Sequence, residues 1–276
     1  MFSALLFAAS GRAQAARIEA GLSRARALGI EVSDVPQSAF VSPGTYLAGD
    51  DRTRLASLDS ALSGSEDLAW AVRGGYGLTR LSPFSGLTLA SKPVLGFSDV
   101  TVLLAAVHQA GGRAVHGPVL TSLAQADAAT ADALLAAVAG EHRHWALKGF
   151  CSEFTAPIIG GNLEVLTRLI GTNLCPSFGG HVVVLEEISE PWYRCDRALT
   201  HLLTATDLDQ AQVVVLGDFI DCEDGTTRRL TERLVDLGIP CLTGAPVGHG
   251  EVNHAFIWGE KTSFQEGVLT LFGETL

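Results

Sequence analysis

Three separated stretches of the sequence carry side chains that could together perform nucleophilic catalysis. Ser98 lies in the small, polar segment 96–99, "GFSD". Glu186 and Glu187 follow the apolar run "VVVL", and His249 lies between two glycines. A serine that is activated by a histidine, itself oriented by a carboxylate, attacks carbonyl carbons. These residue types therefore indicate acyl transfer, such as the hydrolysis of an amide or an ester.

Ser98 lies at the point where a predicted strand turns into a predicted helix. A nucleophile works well at such a sharp turn, because its Oγ projects and the next backbone amide can stabilise an oxyanion. Serine is also a preferred N-cap residue, so capping of a helix that begins near Asp99 is an alternative explanation. Val100 breaks the G-x-S-x-G pattern of ordinary α/β-hydrolases. The stretch alone leaves catalysis and capping both open.

The acidic pair and the histidine also have purely structural explanations. Adjacent strand residues point to opposite faces, so only one of Glu186 and Glu187 can face a given site. Glu186 could simply end a strand in solvent, and His249 could bond to loop backbone. Glu251 and His254 lie close to His249, but their spacing is not H-E-x-x-H. That difference argues against a zinc site.

Alternating strands and helices must position these side chains. The first half begins with a predicted core strand over residues 4–9 and continues as strand–helix repeats. Such alternation predicts right-handed βαβ units and a parallel sheet, which binds ligands at the carboxyl ends of its strands. Three predicted strand ends carry unusual sequences: "RGGYG" at 73–77, "GFSD" at 96–99 and "HGP" at 116–118. We expect these ends to converge on one cleft.

A change of composition between residues 124 and 150 divides the chain. This segment contains an alanine-rich helix and then the polar sequence "GEHRHWALKG". We predict an N-terminal α/β domain over residues 1–140 that carries the serine, a linker over 141–157, and a β/α domain over 158–276 that carries the glutamate and the histidine. The fold class predicted from the pattern is therefore α/β, in two domains.

The composition argues against several classes of protein. With 276 residues, 47% hydrophobic and 18% charged, the chain can bury a large core. The formal net charge of −11 and the lack of a Lys/Arg cluster argue against a nucleic-acid partner. The N-terminal apolar run is short and no positive charge precedes it, so we predict a cytoplasmic protein with no membrane partner. Five cysteines without a C-x-x-C pair are expected to be reduced thiols.

Six motifs along nearly the whole chain resemble those of the LD-carboxypeptidase family. They are "RGGYG", "GFSD", "HGP", "GGNL", "LEE" and "GH", in the order and approximate spacing of that family. The family consists of serine peptidases and includes muramoyltetrapeptide carboxypeptidases and the microcin C self-immunity peptidase. The resemblance implies an N-terminal flavodoxin-like or amidotransferase-like parallel-sheet domain and a C-terminal swivelling β/α domain.

The resemblance also implies a role for each candidate residue. By the positions of the motifs, Ser98 resembles the family's nucleophile, Glu186 its orienting carboxylate and His249 its general base. The backbone amides of Gly75 and Asp99 are implied as the oxyanion hole. Such a mechanism needs no metal and no organic cofactor.

The implied substrate is a small peptide with an amide between an L-centred and a D-amino acid. A murein tetrapeptide that loses its terminal D-alanine during peptidoglycan recycling is the family example, and a homodimer is the implied assembly. A carboxypeptidase must bind a free carboxylate, for which Arg73, Tyr76 and Arg194 are candidates. The alternative for both arginines is a structural ion pair with Asp99, Glu190 or Asp196.

Some positions depart from the family pattern. The N-terminal strand reads "LLFAASG", and Ile257 stands where the family commonly has proline. These departures leave the substrate open. A microcin-type peptidyl or aminoacyl nucleotide, or a broader range of amides and esters cleaved by the same triad, remains an alternative.

Overall fold

The computed structural model describes residues 2–40 and 44–273. The chain forms two compact units, Met1–Asp127 and Ala128–Leu276, and the prediction of a two-domain α/β protein is confirmed. Within the described part of the chain, no helix is both long enough and apolar enough to span a membrane. All five cysteines are free thiols.

The first unit is built around a parallel sheet. Its strands and helices are β1 (Phe2–Phe7), α1 (Ala15–Ala27), β2 (Ile30–Val32), α2 (Asp51–Ser63), β3 (Leu68–Ala71), β4 (Val94–Gly96), α3 (Thr101–Gln109), β5 (Ala114–His116) and α4 (Leu120–Leu123). These strands are hydrogen-bonded in the order β2-β1-β3-β4-β5, and every pair is parallel. This is the flavodoxin-like order. The strand ends predicted to converge, those of β3, β4 and β5, lie side by side at one edge.

The burial of these elements explains why they form. All residues of β3 and of β4 are buried, as expected for a parallel sheet that is covered on both faces. The first seven residues of α3 are buried as well, so this helix is apolar all round and lies in the core. The segment between β4 and α3, which contains Ser98, is therefore held at both ends by core elements.

The second unit contains a mixed sheet. Its elements are α5 (Ala128–Ala139), β6 (Arg143–Ala146), β7 (Phe154–Asn162), α6 (Leu163–Thr167), β8 (Val182–Ile188), α7 (Trp192–Ala205), β9 (Val213–Ile220), α8 (Thr226–Asp236), β10 (Cys241–Thr243), β11 (Phe256–Ile257), β12 (Lys261–Gln265) and β13 (Val268–Leu271). The sheet order is β10-β9-β8-β7-β12-β13-β6, parallel from β10 to β7 and antiparallel from β7 to β6. The expected linker, 141–157, contains β6 and the start of β7, and the domain limits themselves stay a prediction.

A β-bulge lies beside the acidic pair of β8. The register between β8 and β9 shifts between Leu185 and Glu187, so that Gly217 and Asp218 of β9 lie opposite the single residue Glu186. Bulges bend a strand and change the direction in which its side chains point, and they occur often beside active sites. The direction of Glu186 therefore depends on how this irregular end of the sheet is held.

Candidate active site

Ser98 is the first residue of a short 3-10 helix, Ser98–Val100, directly after β4. Its φ is +63°, in the left-handed region that residues other than glycine rarely adopt. The helix caps fall on Phe97 and Val100, and neither makes a side-chain capping bond. Ser98 is thus not the cap of α3. A strained backbone at a sharp strand-to-helix turn is instead the conformation expected of an exposed nucleophile.

Asp99 ties this turn to two other strand ends of the same unit. The residue is buried, and its Oδ2 accepts hydrogen bonds from Ser10 Oγ at 2.6 Å and from the backbone N–H of Leu78 at 3.0 Å. Burial raises the pKa of Asp99, while these hydrogen bonds act in the opposite direction. Ser10 follows β1 and Leu78 follows the glycine-rich loop after β3. One carboxyl group therefore fixes the relative positions of three strand ends.

The glycine-rich loop after β3 packs directly against Ser98. A Cβ atom at Gly74 would lie 2.9 Å from the Ser98 Cβ, so any larger residue would displace the serine. Gly75 has a φ of +110°, and a Cβ atom there would collide with the hydroxyl oxygen of Tyr46. Glycine at both positions lets the loop backbone approach the serine closely, as an oxyanion hole requires.

Arg54, on α2, holds the glycine-rich loop in place by hydrogen bonds. The side chain is fully buried, and its guanidinium donates hydrogen bonds to the carbonyl oxygens of Gly77, at 2.8 Å, and Ala9, and to the Asp51 carboxylate at 2.6 Å. Arg54 was not predicted from the sequence. The available signal was a charged residue at helical spacing with Leu58, on the face of α2 that is buried.

The candidates for substrate binding have different surroundings. Arg73 donates a hydrogen bond to a backbone carbonyl oxygen, and its guanidinium lies 5.8 Å from the centre of the Tyr46 ring. Tyr76 is 50% exposed, so it is accessible to a ligand. Arg194, in the second unit, forms an ion pair with Glu190 at 3.2 Å. For Arg194 the structural alternative, an ion pair with Glu190, is therefore observed.

Glu186 and His249 form a buried pair in the second unit. The Nδ1 atom of His249 lies 2.7 Å from Glu186 Oε2, and the glutamate side chain is 0% exposed. An ionised carboxylate can only accept hydrogen bonds, so Nδ1 carries the proton. Burial lowers the pKa of His249, but the charge of Glu186 and the hydrogen bond to it outweigh burial, and the pKa lies above its ordinary value. This is the arrangement of a general base and its orienting carboxylate.

The bulge in β9 brings the His249 loop close to this strand. A Cβ atom at Gly217 would collide with the carbonyl oxygen of Val247, and the same oxygen accepts a hydrogen bond from the Asp218 N–H at 2.8 Å. Asp218 is half-buried, and burial, with the charge of Glu186, raises its pKa. Glycine at position 217 is thus a steric requirement for placing His249.

Glu187 is a second buried carboxyl, on the other face of β8. Its Oε1 accepts hydrogen bonds from Asn162 Nδ2 at 2.8 Å and from the Ile188 N–H at 2.9 Å, and its Oε2 accepts one from the Glu164 N–H at 2.9 Å. Burial raises the pKa of Glu187 to about 7. No role for Glu187 was predicted from the sequence. The available signal was the presence of two adjacent acids in an apolar strand.

The residues selected from the sequence thus form two sets. The first unit holds Ser98 with the Gly75 and Asp99 backbone, and the second holds Glu186 and His249. The first set has a strained turn against a closely packed glycine loop, and the second has a histidine hydrogen-bonded to a buried acid.

Comparison with known proteins adds independent evidence. Residues 5–117 match the model of the LD-carboxypeptidase N-terminal domain, and residues 155–264 match that of the C-terminal domain. The murein tetrapeptide carboxypeptidase of Pseudomonas aeruginosa is 35% identical over 246 residues, which cover 80% of this chain and 80% of that protein.

Solved structures show the same fold. The muramoyltetrapeptide carboxypeptidase from Oxalobacter formigenes has a TM-score of 0.85 at 23% identity, covering 99% of this chain and 100% of that chain. The microcin C7 self-immunity protein MccF, in complex with aspartyl sulfamoyl adenosine, has a TM-score of 0.87 at 18% identity, covering 100% and 97%. Since models of both family domains match, and together they span most of the sequence, this chain belongs to the LD-carboxypeptidase family of serine peptidases.

Proposed function

We propose that this enzyme releases the terminal D-alanine of a murein tetrapeptide by hydrolysing the amide between an L-centred residue and the D-residue. The observation that carries the proposal is the 2.7 Å hydrogen bond between Glu186 and His249, because it provides a base in a defined tautomer. The strained turn at Ser98 and the similarity to the Pseudomonas enzyme support the same assignment.

The first half of the reaction forms an acyl-enzyme. Ser98 Oγ attacks the scissile carbonyl carbon while His249 removes the hydroxyl proton through Nε2. Glu186 keeps the imidazole in the required tautomer and stabilises the imidazolium that forms. The backbone N–H groups of Gly75 and Asp99 donate to the oxyanion. The protonated His249 then gives its proton to the leaving amine, and D-alanine departs.

The second half returns the enzyme to its starting state. A water molecule attacks the acyl carbon of the ester, and His249 again removes the proton. Collapse of the second tetrahedral intermediate breaks the bond to Ser98 Oγ, which recovers its proton from the imidazolium. The products are a tripeptide and D-alanine. In both halves of the reaction, the protons are transferred by His249 and the developing charges are stabilised by Glu186 and the two backbone amides.

Arg73 is the stronger candidate for the terminal carboxylate of the substrate. It directly precedes Gly74, which packs on Ser98, and its partners are a backbone carbonyl oxygen and the Tyr46 ring. Arg194 already pairs with Glu190. Guanidinium binds carboxylate in a bidentate manner, which favours arginine over other cations here. Tyr76 is proposed to line the same site.

An aminoacyl nucleotide is the second candidate substrate. MccF, which was solved with aspartyl sulfamoyl adenosine, shares the fold at 18% identity. The murein enzyme of Pseudomonas aeruginosa is 35% identical, so the similarity favours a murein peptide.

Mass spectrometry of D-alanine release tests the proposal. Tetrapeptides that contain L-lysine or meso-diaminopimelate are incubated with the wild type and with Ser98→Ala. We expect release by the wild type alone. If the folded wild type releases no D-alanine, murein peptides are not its substrate. The same assay with an aminoacyl sulfamoyl adenosine then tests the second candidate.

We also propose that the enzyme is a cytoplasmic homodimer. Five free thiols, as expected in a reducing compartment, support the location, and family resemblance supports the assembly. Cell fractionation and light scattering of the purified protein test the two statements separately. Activity in an extracellular fraction would contradict the first, and a monomeric mass the second.

A further inference from the structure

The hydrogen bonds of the Glu186 side chain do not by themselves fix the direction in which its carboxylate points. Oε2 bonds to His249, whereas Oε1 is buried and has no hydrogen-bond partner among the described residues. A carboxylate held by one hydrogen bond keeps its distance from the histidine only if the backbone that carries it stays in place. The backbone of β8 at this point must therefore determine where Glu186 points.

That backbone lies at an irregular place in the sheet. On the β9 side, the bulge places both Gly217 and Asp218 opposite Glu186, which interrupts the regular hydrogen-bond ladder. On the other side, Glu186 pairs with Asn162, the last residue of β7, so the regular ladder ends there as well. Beyond the bulge β8 pairs with β9 again, at Glu187–Phe219 and Ile188–Ile220, so it is the β7 side of the end of β8 that lacks a ladder.

The Glu187 carboxylate makes the connections that the ladder lacks. It accepts the side-chain amide of Asn162 and the backbone N–H of Glu164, which lie at the end of β7 and the start of α6. It also accepts its neighbour's N–H, that of Ile188, which fixes its own strand. In the described part of the chain no lysine or arginine forms an ion pair with it. Three neutral donors, and not a salt bridge, hold the group.

The partner side chain is itself fixed. Asn162 uses its Oδ1 to accept the Val165 N–H at 3.0 Å, as the N-cap of α6, and its Nδ2 to donate to Glu187. Exchanging the two atoms of this amide would break both bonds, so the orientation of Asn162 is determined. Glu187 is therefore attached to a rigid point of the fold and not to a mobile side chain.

We propose that Glu187 is a positioning residue for the catalytic pair: by clamping the end of β8 to Asn162 and the start of α6, it holds Glu186 at hydrogen-bond distance from His249. Glu187 contacts no reacting atom: it acts through the position of Glu186, and its charge also reaches His249. The inference rests on the proposed function for its kinetic test, and on the Glu186–His249 bond alone for its spectroscopic test.

Two substitutions at this position separate geometry from charge. Glu187→Ala removes every acceptor, whereas Glu187→Gln keeps one oxygen for Asn162 and Ile188 and presents an amide to the Glu164 N–H. We expect kcat per active site to fall about 100-fold in Glu187→Ala, the order of loss caused by a misplaced catalytic group. For Glu187→Gln we expect a loss of about tenfold, since one bond of three is broken. KM should not change in either variant.

A matched control uses another acid at a neighbouring strand end. Asp221→Asn makes the same acid-to-amide change just beyond β9, on an exposed residue outside the clamp, and should leave kcat and KM at wild-type values. Titration of active sites with a fluorophosphonate probe corrects every kcat for protein that has not folded, so a purely structural loss would not appear as a change in kcat per site.

The spectroscopic test requires no substrate. The downfield proton NMR signal of His249 Nδ1–H reports the hydrogen bond to Glu186. We expect it to be present in the wild type and in Asp221→Asn, weaker in Glu187→Gln, and lost to exchange in Glu187→Ala. An unchanged signal with unchanged kcat per site in both Glu187 variants would overturn the inference. So would a rise in KM at constant kcat, which would place Glu187 in substrate binding. If the wild type does not turn over the tetrapeptide, the proposed function fails while this signal still decides the inference.

Discussion

The Ser98 turn and the Glu186–His249 pair are positioned by different physical means. The serine is held by backbone shape: a φ of +63°, a glycine loop in van der Waals contact and hydrogen bonds from neutral groups to Asp99. The histidine is held by charge, through a fully buried carboxylate. Catalysis should therefore be sensitive to added atoms at the Ser98 turn, and to changes in charge and pH at the Glu186–His249 pair.

The largest effect is expected at the nucleophile itself. Ser98→Ala removes the attacking oxygen, so kcat should fall on the order of 10⁶-fold, as for other serine peptidases that lose a triad member. Circular dichroism and thermal unfolding should match the wild type, because the alanine removes only one oxygen atom. Measurable acyl-enzyme in the variant, by intact-mass spectrometry, would show that another residue is the nucleophile.

Removal of the charge that holds the histidine should have the next largest effect. Glu186→Gln keeps the size of the side chain, but its amide can no longer stabilise the imidazolium, and kcat should fall on the order of 10⁴-fold. The loss should be smaller than for Ser98→Ala, because the nucleophile remains. A stopped-flow measurement of acylation gives the number directly. Equal activity of Glu186→Gln and wild type would remove Glu186 from the mechanism.

An added methyl group should damage the serine region without any change of charge. In Gly74→Ala the new Cβ would press on the Ser98 Cβ, and we expect a loss in kcat of about 100-fold. Gly29→Ala is the control, because its φ is +74° but no atom lies within 4 Å of the added Cβ. The control should lower the melting temperature and leave kcat per active site intact. A similar kcat for the two variants would refute the steric argument.

The smallest effect is a shift in the pH dependence of kcat/KM. This shift should distinguish the Glu186–His249 pair from the Ser98 turn most clearly. The base must be neutral, so kcat/KM rises with pH through the pKa of His249. The charge of Glu187 helps to raise that pKa. Glu187→Gln should therefore shift the rise of kcat/KM to lower pH. Asp99→Asn, also a buried acid changed to its amide, should lower kcat/KM without shifting this rise along the pH axis. A shift of equal size in both variants would contradict the comparison.

The sequence predicted those parts of the site that depend on neighbours along the chain. Ser98 was found because a strand, a polar turn and a helix follow one another within a few residues. The partners of Asp99 were not found, because Ser10 lies 89 positions away and only the folded sheet brings the two together. The bulge at Gly217 was missed for a similar reason, since register depends on two strands at once.

In the antiparallel part of the second unit, one strand was not recognised from the sequence. β6, with the sequence RHWA, fell inside the expected linker. Its inward positions are Arg143 and Trp145, and the buried arginine is neutralised by an ion pair with Glu260. A charged residue at a core position breaks the apolar alternation by which a strand is usually recognised. Only the distant glutamate makes that position compatible with burial.

The pairing of β6 with β13 determines when this unit can be completed during synthesis on the ribosome. Leu271 of β13 pairs with Arg143, so the edge strand β6 is paired only when residues 128 positions further along the chain have been made (271 − 143). A long delay between a strand and its partner leaves an unpaired edge exposed in the nascent polypeptide. The serine-bearing unit is contiguous and emerges first. Translation therefore delivers the nucleophile before the base, and the second sheet is complete only once β13 has left the exit tunnel.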